Sequence, residues 1–301
     1  RGNIKTHDGN DTLNLGGTFN DSYIYSGDGN DSINLIGNSQ YYSQVYGGSG
    51  DDTIKVSDGY NSDGNNFDIY GEDGNDLIEL SSDTRIRQWN TIYGGNGDDT
   101  IVGNDFGNNF TGGEGEDTIN AGNGNNTVNG GNGDDFLEAG NGNDVIYGGS
   151  GNDLIKAGAG NDVIYGSNSS AKGDDGSIDT AVFSGASTDY KLSRATDTNF
   201  DYVYYIQDKR DGSPDGLDTL YDIDLLRFSD GEINIDSFYE INAEEGSNGE
   251  TITGTEGDDL IDGFGGDDTI SGLGGDDIII GGDGNDVIDG GSGTNRLYAD
   301  A

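Results

Sequence analysis

The chain has 301 residues, of which 57 are glycine, one is proline and none is cysteine or methionine. Its 58 acidic residues against 13 basic ones leave a net charge of −45. That field repels phosphates and anionic membranes, so nucleic-acid binding is excluded. No run approaches the roughly 18 apolar residues a bilayer span requires and no leader pattern opens the chain, so no membrane insertion is expected. The lack of even a starting methionine points to a processed product or an excised segment. Disulfides and thiol chemistry are excluded too. With only 30% hydrophobic residues, such a chain would ordinarily be disordered. The alternative is that something outside the sequence neutralises its charge.

Residues 1–93 hold four separate copies of the pattern G-G-x-G-x-D-x-U-x, with U a large apolar residue, around Asp11, Asp31, Asp52 and Asp76. Counted back from Asp99, these aspartates are spaced by 23, 24, 21 and 20 residues rather than 18. Ile24, Val45, Ile69 and Ile92 each stand nine residues before an eighth-position apolar residue, and each precedes a tyrosine. They read as the second strand of each coil, which places the surplus in loops at 16–22, 36–44, 57–68 and 81–91. Those loops carry Tyr41, Tyr42, Tyr60, Arg85, Arg87 and Trp89. Two readings stay open: caps over an exposed core, or a binding face, since one-sided insertions in a solenoid often bind something.

Residues 94–165 read as eight nonapeptides without a gap, and 245–298 as six more. Alternate turns belong to opposite sides: Asp99, Asp117, Asp135 and Asp153 on one, Asn108, Asn126, Asp144 and Asp162 on the other. The eighth position is apolar in every copy. The sixth is Asp except at Asn108, Asn126, Glu250 and Asn295. Glycines permit positive φ, so a six-residue turn folds its carbonyls inward. One carboxylate added to those carbonyls makes an all-oxygen shell suited to Ca²⁺ rather than to zinc. The expected ligands are Asp11, Asp31, Asp52, Asp76, Asp99, Asp117, Asp135, Asp144, Asp153, Asp162, Asp259, Asp268, Asp277 and Asp286, with several calcium ions as cofactor. Between the blocks, 167–244 breaks the pattern; Val182/Phe183, 202–206 and 225–228 read as strands, with "DGSPDG" as a turn.

Nearly all of 1–166 and 245–301 resembles the RTX parallel β-roll of secreted bacterial proteins. The resemblance implies an all-β fold: a parallel β-roll in two blocks separated by a small antiparallel β-rich segment. The expected domains are 1–93 (irregular coils), 94–166 (regular roll), 167–244 (β-rich) and 245–301 (second roll). It also implies that each calcium lies between successive turns on one side, shared by their aspartates. The chain would stay unfolded in the cell and fold after type I export into millimolar calcium. The 167–244 segment is similar to the β region that follows the roll in serralysin-type metalloproteases. Because repeats resume after it, the parent is expected to be longer.

A lone His7 and no cysteine exclude a HExxH zinc site, a Ser-His-Asp triad and a Cys-His dyad. The chain is therefore expected not to be an enzyme. Three roles remain: part of an extracellular surface-layer or adhesin-type protein, the secretion and folding appendage of an exported protease, lipase or alginate epimerase, or a carbohydrate- or protein-binding module. Calcium is the expected partner, with self-association or a surface partner left open.

Overall fold

In the computed structural model the three residues after each nonapeptide-turn aspartate are extended, and from Asp31 to Asp162 burial alternates along them with period two. The structure describes residues 2–16, 18–19, 22–36, 38–39, 43–57, 61–62, 67–81, 85–86, 90–167, 176–196, 202–235, 239–242 and 249–299. They divide into two units, Arg1–Val182 with Pro214–Ile223, and Phe183–Ser213 with Asp224–Ala301.

The first unit is a parallel roll with two walls. One wall pairs Thr100–Val102, Thr118–Asn120, Phe136–Asn141 and Leu154–Ala159, in the register Ile101↔Ile119↔Leu137↔Ile155. The other pairs Asn109–Glu114, Thr127–Asn132, Val145–Ser150 and Val163–Ser167, in the register Phe110↔Val128↔Ile146↔Ile164. Each wall is the crossover that parallel neighbours in the other wall require. The eighth-position side chains form the core: Ile101, Ile119, Leu137 and Ile155 are all 0% exposed. Burying such a side chain contributes about 1.5–3 kcal/mol.

The irregular spacing near the start leaves this register intact. Ile24, Val45, Ile69 and Ile92 pair in sequence as buried second-wall residues. The inserted loops hold a feature their composition did not signal: Thr18–Phe19, Asn38–Ser39, Asn61–Ser62 and Arg85–Ile86 pair in parallel as a third, narrow sheet. Tyr41, Tyr42, Tyr60, Arg87 and Trp89 lie outside the described residues.

Part of the interrupting segment continues the roll. Thr180–Val182 pairs in parallel with Leu154–Ala159, and Leu217–Tyr221 with Val163–Ser167. The second unit opens with two antiparallel hairpins, Tyr190–Thr196 with Tyr202–Asp208 and Leu225–Phe228 with Gly231–Asn234. Phe183, Tyr190 and Phe228 pack there with ring centroids 5.3–5.5 Å apart. Arg210 donates to the buried carboxylate of Asp208 at 2.7 Å and lies over the Tyr190 ring. A second roll follows, with Tyr239–Asn242, Asp259–Asp262, Ile278–Gly282 and Arg296–Ala299 in one parallel wall and Thr251–Thr253, Thr269–Ser271 and Val287–Asp289 in the other. Its core is Ile252, Ile261, Ile270 and Ile279, with Ile288 packed against it.

Candidate metal centres

Most turns bend through glycines at positive φ, where a side chain is strained. Gly95 and Gly97 stand at φ 137° and 118°, and a Cβ on either would overlap a carbonyl of the preceding coil, of Glu72 or of Gly74. The bends aim carbonyls inward and bring the sixth-position side chains of successive coils into columns.

The first column runs from Asp11 past Asp153. In every step one carboxylate oxygen, Oδ1, accepts the backbone N–H of the aspartate one coil earlier. Asp11 donates to Asp31 at 2.7 Å, Asp31 to Asp52 at 2.7 Å, and Asp52 to Asp76 at 2.7 Å. Asp76 donates to Asp99 at 2.7 Å, Asp99 to Asp117 at 2.8 Å, Asp117 to Asp135 at 2.7 Å and Asp135 to Asp153 at 2.8 Å. On the opposite side Asn108 donates to Asn126 at 2.9 Å, Asn126 to Asp144 at 2.6 Å and Asp144 to Asp162 at 2.8 Å. In the second roll Asp259 donates to Asp277, Glu250 to Asp268 and Asp268 to Asp286.

Two members were missed because they lie off the nine-residue frame. Asp153 donates to Asp179 at 2.9 Å, 26 residues on, and Asp162 to Asp218 at 2.9 Å, 56 residues on. A signal existed: both aspartates precede threonine and then an apolar residue, as Asp99 does.

The second oxygen decides the chemistry. Oδ2 of Asp31, Asp52, Asp76, Asp99, Asp117, Asp135, Asp144, Asp153, Asp162, Asp268, Asp277 and Asp286 is buried with no hydrogen-bond partner. A buried carboxylate oxygen left so is costly. A Cβ on Gly94 would overlap Asp99 Oδ2 and crowd the Gly112 carbonyl of the next coil, and Gly112, Gly130 and Gly148 repeat that cradle. Small residues thus keep open a space bounded by a carboxylate oxygen of one coil and a carbonyl of the next. Among the described residues no three carboxylate or imidazole side chains converge, and the donors facing each cradle are carboxylate and carbonyl oxygens. Such donors fit a hard divalent cation. Two residues differ. Asp259 spends both oxygens on Thr255, accepting from its N–H at 2.6 Å and its hydroxyl at 2.9 Å. Asp11 is only half-buried.

Burial raises the pKa of several column carboxyls: Asp52, Asp99, Asp135 and Asp144 reach about 7 and Asp153 about 8, from 3.8. Asp76, Asp117 and Asp162 reach about 6 for the same first cause. Neighbouring carboxylates add to the rise at each of them. The N–H bond to Oδ1 opposes it.

A parallel roll with two columns of half-satisfied carboxylates defines a divalent-cation-binding solenoid. Residues 90–107, 102–137, 138–169, 246–279 and 271–301 match the family described as RTX calcium-binding nonapeptide repeat. Over 90–169 and 246–301 the chain carries RTX calcium-binding nonapeptide repeats, and these support a calcium-binding β-roll module. No curated protein matches it.

Proposed function

We propose that this module is a secreted, non-enzymatic structural element that folds when it meets extracellular calcium, in a surface-layer or adhesin-type setting. The row of buried, unpartnered Oδ2 atoms carries the reading. Calcium bound between turns would supply the positive charge that these oxygens and the facing carbonyls lack. The residues do the rest: glycines keep the cradles open, Oδ1 atoms stitch each coil to the one before, and the isoleucine column fixes register. Each ion bound only by the folded chain would add about 2.7 kcal/mol when calcium is a hundredfold above its dissociation constant. Low calcium then leaves the chain unfolded for export, and high calcium stiffens it afterwards. Among the described residues no helix is long and apolar enough to cross a membrane. Far-UV circular dichroism, first with chelator and then with millimolar calcium, tests the reading: a coil-to-β change supports it and unchanged spectra end it.

One observation favours a second role in ligand binding. A groove of about 450 Å³ on the outer face of the second wall is lined by Tyr25, Tyr93, Glu72, Asp73, Asn96 and Lys5 among others. Glu72 stands at φ 83° in register with Gly48 and Gly95, a conformation that favours glycine. Burial, then Asp73, raises the pKa of its carboxyl. Hydroxyl-rich glycans suit such a groove. Binding on a glycan array that Glu72→Gly abolishes would support this role, and a silent array would remove it.

A further inference from the structure

The two sides of the first roll differ in what fills the sixth position. The first column is carboxylate from Asp11 onward. In the opposite register stand Ser22, Ser43, Phe67, Asn90, Asn108 and Asn126, and carboxylates begin only at Asp144. The asparagines are buried: Asn90 is 0% exposed and Asn108 and Asn126 are 2% exposed.

Their amide orientation is fixed by a donor that cannot flip. Asn126 Oδ1 accepts the backbone N–H of Asn108 at 2.9 Å, and Asn90 Oδ1 accepts that of Phe67 at 2.6 Å. The Nδ2 group of Asn126 must therefore occupy the place where an aspartate carries its bare Oδ2. From there it donates to three carbonyls: Gly124 at 3.1 Å, Gly122 at 3.4 Å and, from the next coil, Ala139 at 3.3 Å. Ala139 opens its turn as Gly112 does in the first column, where that carbonyl faces the Asp99 cradle. Asn108 Nδ2 likewise donates to the Phe106 carbonyl at 2.8 Å and to Asn104 Oδ1 at 3.2 Å, while Asn90 Nδ2 reaches Asn108 Oδ1 at 3.2 Å. The second roll repeats the device independently. Asn295 Oδ1 accepts the Asp277 N–H at 2.8 Å, and its Nδ2 donates to the Gly290 carbonyl at 2.6 Å.

We infer that Asn108, Asn126 and Asn295 are cation surrogates: each amide satisfies the inward carbonyls that a calcium ion satisfies in an aspartate turn, so these turns bind no ion. The physical reason is charge and donor count. An amide NH₂ brings two donors and no negative charge, so the turn's carbonyls are paired without a metal and no like-charge column builds up. Cation binding on the second side then begins between the Asp144 and Asp162 turns. The stretch from Asn90 to Asn126 forms a metal-independent seam alongside the ion-dependent first column. This inference rests on the calcium reading above and adds which turns are exempt from it.

Crystals grown with calcium and examined by anomalous scattering test it. Peaks are expected beside Asp99, Asp117, Asp135 and Asp144 and none beside Asn108, Asn126 or Asn295. A peak at an asparagine turn overturns the inference while leaving calcium binding intact, whereas a map with no peaks at all sinks the calcium reading itself. Native mass spectrometry of Asn126→Asp gives a second arm. One more bound calcium than in the unsubstituted chain is expected, and an unchanged count overturns the assignment. Should that variant fail to fold, the map of the unsubstituted protein still decides.

Discussion

At Asp117 a single side chain serves two purposes, and substitutions separate them. Asp117→Ala removes the acceptor for the Asp99 N–H, bonded at 2.8 Å, as well as the oxygen facing the cradle. Leaving that buried N–H unpaired costs about 1–3 kcal/mol, to which the lost ion adds. Urea unfolding in saturating calcium should show the combined drop, and an unchanged midpoint would count against the role given to Oδ1. The same carboxyls predict the effect of pH. Without calcium their folded values, about 6 for Asp76, Asp117 and Asp162, about 7 for Asp52, Asp99, Asp135 and Asp144 and about 8 for Asp153, lie above the ordinary 3.8. The folded chain thus holds protons more tightly than the unfolded one, and stability without calcium is greatest near pH 4 and is lost as pH rises through 6 to 8. Protons and calcium compete for the same oxygens, so calcium titrations should show weaker affinity at pH 5.5 than at pH 8. Equal affinities would contradict the burial of these groups.

At the scale of strands and coils, the eighth-position column sets register, and each coil touches only its neighbours, so damage stays local at first. Ile119→Ala should cost about 2–5 kcal/mol as a buried large-to-small change, and hydrogen exchange should rise first in the flanking coils; uniform loosening along the whole roll would argue against coil-by-coil coupling. Outside the core, Tyr25 and Tyr46 stack at 4.4 Å and Tyr46 and Tyr70 at 4.9 Å, and the ladder resumes at Tyr147, Tyr165 and Tyr221. The tyrosines after Ile24, Val45 and Ile69 were visible in the sequence; their stacking follows once those isoleucines and valine share a register. Much of the roll was legible in this way, because glycine, aspartate and apolar residue recur at fixed spacing. The narrow third sheet at Thr18–Phe19 and its partners was not, since two-residue strands carry no periodicity. Asp179 and Asp218 escaped for a different reason: the backbone returns to register after an insertion, which a fixed spacing cannot follow. The surrogate role of Asn126 was equally hidden, because a sequence shows the substitution but not the three carbonyls that receive its amide.

For the molecule as a whole, a net charge of −45 and a narrow, mostly aliphatic core oppose one another. Like charges one coil apart along a buried column disfavour the compact state, and the proposed function requires that the core alone does not overcome this without counter-charge. Ordinary salt screens the exposed acidic residues more than the buried columns, so monovalent salt is not a substitute for a divalent ion that reaches the cradles. Hydrogen exchange of residues 94–166 at pH 7.5, compared in millimolar calcium and in chelator at equal ionic strength, bears most directly on whether the roll needs divalent ions to hold its shape. Protected amides at Asp99, Asp117 and Asp135 in calcium, lost on chelation, are the predicted result; protection that persists in chelator along that column would contradict it.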